Sequence, residues 1–163
     1  PGDDLDELLT DRAGVRHLGS LPPGAVQDRH LAELRASAEE LAPAIREVVA
    51  ATAEPFVQVI FDIEVPRMAF GRVCLIGDAA FAVRPHAAAG TAKAAADAWA
   101  LGEAVAAAGG DVVKALQRWE PGQLELGRQL ITRARDIGNR SQFEGTFTPG
   151  DPILIFGLYE PGR

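Results

Sequence analysis

The chain is poor in the residues that would tie it to several common functions. Cys74 is the only cysteine among 163 residues. One cysteine excludes an internal disulfide framework and a cysteine-based metal site, and it fits a reducing, cytoplasmic setting. Basic charge is also short: 16 Lys and Arg face 23 Asp and Glu, a net charge of −7. That argues against non-specific nucleic-acid binding, which needs a basic face. No apolar run approaches the length of a membrane span, so no membrane partner is expected. His17 and His30 have no partner at metal-ligand spacing and read as surface histidines, so no metal is expected. No G-x-G-x-x-G occurs anywhere. The only methionine is Met68 and the first residue is Pro1, so the chain is expected to be a piece of a longer polypeptide.

What is present suffices for a core: 47% of the residues are hydrophobic. Residues 1–27 are rich in Gly, Pro and Asp. They are expected to hold a short helix from Asp4 to Thr10 and an edge strand near Val15. Asp28 reads as an N-cap. Leu31, Leu34, Ala38, Leu41, Ile45 and Val48 follow at helical spacing, with a restart at Pro43. Val57, Val59, Phe61, Ile63 and Val65 alternate with Gln58, Asp62 and Glu64, which predicts a strand over 56–65 with one covered face. Val73–Ile76 lacks alternation and reads as a strand buried on both sides in a different, parallel sheet.

Between Ala87 and Ala108, 13 of 22 residues are alanine. Such small side chains predict a helix that lets backbone or ligand approach closely. Its stripe is Ala94, Ala98, Leu101, Val105 and Ala108, and Gly109-Gly110 stops it. Asp111 caps a second long helix to about 139, in which Val113, Leu116, Leu124, Gly127, Ile131 and Ala134 follow the helical period, with a kink or restart expected at Pro121. Residues 141–163 read as an extended tail with an apolar patch at Ile153–Phe156.

The informative stretch is Arg72-Val73-Cys74-Leu75-Ile76-Gly77-Asp78-Ala79-Ala80, then Arg84-Pro85-His86, then the alanine helix with Asp97. An apolar run ends in Gly-Asp, a proline loop follows, and a helix begins. This order puts a carboxylate and free backbone N–H groups at the carboxyl end of a strand, where α/β proteins bind nucleotide cofactors. A Gly-Asp before a helix is ordinarily a cap, and an alanine helix is ordinarily packing. Their joint occurrence with Pro85 and Asp97 points further. Asp97 itself reads as structural, and Lys93 with Asp97 at i,i+4 as a weak surface pair.

Gly77-Asp78-Ala79-Ala80, Arg84-Pro85-His86-Ala87-Ala88-Ala89-Gly90-Thr91 and Ala96-Asp97-Ala98-Trp99-Ala100-Leu101 resemble the second flavin-binding motif of the FAD-dependent aromatic-ring hydroxylases. The pattern is similar to the 2,6-dihydroxypyridine 3-monooxygenase branch of that family. The resemblance covers about Pro55 to Leu101 and continues loosely through Arg118-Trp119-Glu120 to the C-terminus. It implies a cofactor set of Gly77, Asp78, Pro85, Ala88, Ala89, Gly90 and Thr91. Asp78 would accept hydrogen bonds from ribityl hydroxyls, and Gly77 would avoid crowding the cofactor. Pro85 would lie against the isoalloxazine ring. The loop to Gly90, where close approach or positive φ is expected, would aim N–H groups at the N1–C2=O edge. Phe81 departs from the His frequent in the family. Gln58, Ile60 and His86 are candidate substrate contacts, and no catalytic side chain is identified.

The fold so implied is a helix-rich α+β fragment of a two-domain FAD-binding flavoprotein, lacking the N-terminal dinucleotide-binding βαβ unit. Residues 1–66 would be the rest of a substrate domain, 67–108 the flavin-contacting segment, and 109–163 a C-terminal helix and tail. The implied activity is hydroxylation of a small electron-rich aromatic or N-heteroaromatic substrate, with FAD as cofactor, NADH or NADPH as reductant, and O₂. The implied partners are that substrate, the missing N-terminal FAD-binding segment, and in some form a second copy as a homo-oligomer. The alternative is a non-catalytic assembly module that keeps the fold without binding FAD by itself.

Overall fold

A computed structural model describes residues 2–152 and 154–158. It forms two compact units, Pro1–Val59 and Ile60–Arg163. The segments expected over 67–108 and 109–163 both lie in the second unit.

In the first unit, α1 spans Gly2–Leu8 and β1 spans Ser20–Leu21. Helix α2 covers Asp28–Ala38, α3 covers Pro43–Ala51, and β2 is Val57–Gln58. Strands β1 and β2 pair antiparallel, Ser20 opposite Gln58 and Leu21 opposite Val57. The core is Leu9, Leu21, Val26 and Leu31. The expected strand near Val15 is an isolated bridge between Thr10 and Arg16. Asp11 shapes that loop instead, accepting from the N–H groups of Ala13 and Val15 at 2.8 and 2.9 Å. His17 lies 2.9 Å from the Asp11 carboxylate, and this hydrogen bond, with those from the backbone, holds the carboxyl below its ordinary range. His30 is no surface histidine: its side chain is 14% exposed and Nδ1 lies 3.0 Å from Glu33. Asp28 is the first helical residue of α2 and not its cap, which is Gln27. Helix α3 does restart at Pro43, where a missing N–H loses no helical bond. The expected apolar face is buried only at Leu31 and Ala38, while Leu34, Leu41, Ile45 and Val48 stay exposed.

In the second unit, β3 (Ala69–Phe70) and β4 (Val73–Cys74) form an antiparallel hairpin. The parallel, doubly buried strand expected at 73–76 is therefore not formed: Val73 is 64% exposed and Cys74 half-buried. Four apolar residues in a row also suit a hairpin edge, and periodicity cannot separate the two. The Glu120 carboxylate accepts the Met68 and Ala69 N–H groups at 2.7 and 2.8 Å, which satisfies the strand end from the helix beside it.

Helix α4 (Gly90–Ala107) and α5 (Val112–Asn139) pack against each other. Positive φ at Gly109 and Gly110 turns the chain between them. Asp111 caps α5 by accepting the Lys114 N–H at 3.1 Å. The helix continues through Pro121 without restarting. Its buried face holds Leu116, Trp119 and Ile131 over one core with Met68, Phe81 and Ala80, and Gly127 lies against the Phe81 ring. Leu130, Ala134 and Ile137 join Ala87, Ala89 and Leu154 in a second cluster. The tail is fastened there by the Gly157 N–H, which donates to the Ala87 carbonyl at 2.7 Å. Ile153 and residues 159–163 of the expected tail lie outside the described residues.

The 56–65 alternation breaks inside this unit. Phe61 and Ile63 are exposed, while the Asp62 side chain is 3% exposed. Ile63 N–H donates to Ala82 carbonyl at 2.8 Å, so the segment is held by the chain after Phe81 and not by a sheet face.

Candidate functional site

The carboxyl end of the hairpin leads into a 3-10 turn, Gly77–Ala79. Gly77 is buried at φ +56°, and an added Cβ would lie 3.1 Å from the Ala94 Cβ. The need for glycine thus arises within the chain, from left-handed backbone and from α4. Asp78 follows it, exposed, with no hydrogen bond or ion pair among the described residues.

A second 3-10 turn, Pro85–Ala87, ends in Ala88 at φ +51° and ψ +34°. The left-handed residue of this loop is therefore Ala88 and not Gly90, which is helical and has room for a Cβ, its nearest neighbour being Asp78 Oδ1 at 3.9 Å. A non-glycine residue here is strained by about 1–2 kcal/mol.

Helix α4 starts with Ala89 at its N-cap and no side-chain cap. Alanine is among the poorest caps. The first N–H to find a helical carbonyl is that of Lys93, donating to Ala89 at 2.8 Å. The N–H groups of the first turn are left for an external acceptor.

These elements surround one open cavity of about 820 Å³, lined by Ile76, Gly77, Asp78, Val83, Pro85, Ala88, Ala89, Gly90, Thr91 and Ala94. All seven cofactor candidates from the sequence are among them. The lining offers one unpaired carboxylate, one uncapped helix N-terminus, one flat proline, two branched apolar side chains in Ile76 and Val83, and otherwise small residues. That set suits a ligand with hydroxyls at one place, negative charge at another, and a planar body between. A flavin with its ribityl chain has those parts, so the residues present fit the group.

The three substrate candidates do not join them. Gln58 is exposed on β2 in the first unit, and Ile60 is 48% exposed. The His86 ring packs on α5, where a Cβ on Gly138 would lie 3.0 Å from it, and its buried Nδ1 has no partner.

Two charged clusters brace the cavity residues: one on Asp62, which the sequence did not mark, and the Lys93–Asp97 pair, expected only at the surface. Asp62 accepts from Arg84 N–H at 3.1 Å, from Arg84 Nη2 at 2.9 Å and from Arg135 Nε at 2.9 Å. It thereby holds the residue before Pro85. Burial works to raise the Asp62 pKa, but the bonds from Arg84 and Arg135 outweigh it and the carboxyl sits below its ordinary value. Lys93 and Asp97 form the second cluster, a fully buried ion pair at 2.6 Å and not a surface pair. The buried face of α4 begins at these two residues, while Ala94 lines the cavity and Ala98 is exposed. Helical spacing gave the i,i+4 relation, but only the packing of Phe81 and Trp119 decides which side of α4 is covered.

Phe81 is fully buried, its ring against Gly127 and 5.0 Å from Lys93 Nζ. A packing role at this departure from the family pattern follows. Among the described residues no group of His, Cys, Asp and Glu could hold a metal ion, and no helix is long and apolar enough to cross a membrane.

Residues 2–62 match the FAD binding domain-like family, a match that lies outside the cavity lining. The chain is 42% identical over 157 residues to 2,6-dihydroxypyridine 3-monooxygenase of Paenarthrobacter nicotinovorans, covering 96% of this chain and 39% of that enzyme. The solved structure of 2,6-dihydroxypyridine-3-hydroxylase from Arthrobacter nicotinovorans superposes with a TM-score of 0.83 at 40% identity, over 98% of this chain and 41% of that one. HpxO of Klebsiella pneumoniae, solved with FAD and uric acid, superposes with a TM-score of 0.58 at 28% identity, over 76% of this chain and 33% of that one. The chain thus spans about two fifths of the length of the first two relatives. Over that span, in sequence and in fold, it is homologous to 2,6-dihydroxypyridine 3-monooxygenase.

Proposed function

We propose that the chain is the C-terminal part of an FAD-dependent monooxygenase that hydroxylates a small electron-rich aromatic or N-heteroaromatic substrate, with NADH or NADPH as reductant and O₂ as co-substrate. The observation that carries this reading is Asp78: an exposed carboxylate without a partner, on an 820 Å³ cavity shared with the uncapped end of α4. The relatives support the same class, since one is a dihydroxypyridine monooxygenase and another was solved with FAD and uric acid.

In this reading Asp78 accepts hydrogen bonds from the ribityl hydroxyls. The first-turn N–H groups of α4, at Gly90 and Thr91, meet the edge that becomes negative on reduction, which a helix N-terminus favours by about 0.3–2 kcal/mol. Pro85 would face the ring. Gly77, Ala88 and Ala89 keep the approach short. When bound, the flavin would supply the redox chemistry by which one oxygen atom of O₂ enters a ring C–H bond and the other leaves as water, with two electrons from NADH or NADPH. The chain's own residues orient it and exclude water from its face. Gln58 and Ile60 are proposed as substrate contacts, and the packed His86 ring as a support of the Pro85 turn. The dinucleotide-binding segment would be supplied by the rest of the polypeptide. The proposed location is the cytoplasm.

The test is fluorescence titration with FAD of the protein at its natural length. Asp78→Ala should weaken binding about 10- to 100-fold, since a charge-assisted hydrogen bond is worth about 1.5–3 kcal/mol. A colourless wild-type protein that does not quench FAD fluorescence would favour the assembly-module reading. Equal affinity in the variant would remove Asp78 from the site.

A further inference from the structure

Among the described residues Asp97 and Lys93 are the two charged side chains placed wholly out of solvent, on a helix otherwise built largely of alanine. Asp97 Oδ2 accepts from Lys93 Nζ at 2.6 Å and from the Gly77 N–H at 2.9 Å. The Asp97 carbonyl accepts from Trp119 Nε1 at 3.0 Å, which fixes α4 against α5 at this turn. The Lys93 ammonium lies 5.0 Å from the centre of the Phe81 ring.

A buried ion pair is weak evidence for stability, because desolvation offsets the attraction and apolar replacements of similar volume are often neutral. Alanine at both positions would continue the rest of α4. The pair must be explained by what else it touches, and that is the backbone of Gly77. This N–H is buried, in left-handed backbone, outside any strand ladder. A buried donor needs a partner. Asp97 supplies one across 20 residues of sequence. A charged acceptor holds that N–H more tightly than a neutral one, and Lys93 balances the charge where water cannot. The next residue along the chain is Asp78.

We propose that Lys93 and Asp97 are positioning residues for the Gly77–Asp78 turn: the buried pair fixes the Gly77 amide and thereby aims the Asp78 carboxylate at the cavity. The flavin part of this statement rests on the function proposed above. The hold on the Gly77 amide does not.

Three proteins of natural length separate the ideas: wild type, K93M/D97N and K93M/D97L. Both variants remove the two charges together, so neither buries an unpaired ion. The Asn variant keeps an acceptor for Gly77 N–H; the Leu variant does not. K93M/D97A replaces the latter should leucine overpack. Amide hydrogen exchange at Gly77 should be somewhat faster than wild type in K93M/D97N, whose acceptor is neutral, and faster again by about tenfold or more in K93M/D97L, at equal global stability. FAD affinity, titrated by fluorescence, should fall about tenfold in the Leu variant relative to the Asn variant. Equal Gly77 exchange in the two variants overturns the proposal outright. Faster exchange with equal FAD affinity overturns the aiming of Asp78 and leaves only packing. A wild type with no affinity for FAD refutes the proposed function, while the exchange comparison still decides the role of the pair.

Discussion

Alanine at position 127 should destabilise the protein, although helix propensity alone argues the reverse. Gly127 lies inside α5, where exchange for alanine ordinarily gains about 1 kcal/mol. Here the added Cβ would meet three atoms of the Phe81 ring at 2.5–2.6 Å. Real side chains do not approach so closely, and Phe81 is fully buried with no free direction to move. Overpacking of this kind costs about 1–3 kcal/mol, and the contact with a rigid ring places it toward the upper end. The net effect is a loss of about 1–2 kcal/mol after the propensity gain. Gly122, five residues earlier on the same helix, is the control, since nothing lies within 4 Å of its added Cβ. Gly122→Ala should therefore stabilise by about 0.5–1 kcal/mol. Urea unfolding followed by circular dichroism measures both. Phe81→Ala removes all three of those ring atoms and should relieve the clash, so that Gly127→Ala becomes neutral or stabilising in that background. If Gly127→Ala stabilises wild type as Gly122→Ala does, the close packing of α5 on Phe81 is refuted.

Two further outcomes follow from the loop before α4. Asp62→Asn should cost about 1–3 kcal/mol at pH 7, through weaker bonds to Arg84 and Arg135. The wild-type pKa is lowered from 3.8, so the stabilisation is present above that value and is lost as pH falls through the lower folded value. The gap in urea midpoint between wild type and variant should then shrink on acidification below about pH 4, and a constant gap would refute the assignment. Ala88→Gly should stabilise by about 1 kcal/mol, because glycine adopts φ near +51° without a Cβ penalty; a lower thermal midpoint in the variant would show that Ala88 is not strained.

Local signals carried much of this protein. Gly109-Gly110, Asp111 and Pro43 mark helix ends because each acts within one turn of itself, through positive φ, a side-chain acceptor or a missing donor. The family resemblance carried by Gly77-Asp78, Pro85 and Gly90-Thr91 implied seven residues that line one cavity, and a strand end, a short loop and a helix start lie close along the chain. Tertiary structure decided the rest. Which side of α4 is covered depends on Trp119 and Phe81, distant in sequence, and so Lys93 and Asp97 are buried although their spacing is that of a surface pair. The phase of 60–65 is set by two arginines, Arg84 and Arg135, that draw Asp62 inward against its hydrophobic alternation. Phe81 is a wall because Gly127 leaves it the room. Burial is a property of neighbours, and neighbours 20 to 73 positions away leave no period in the sequence.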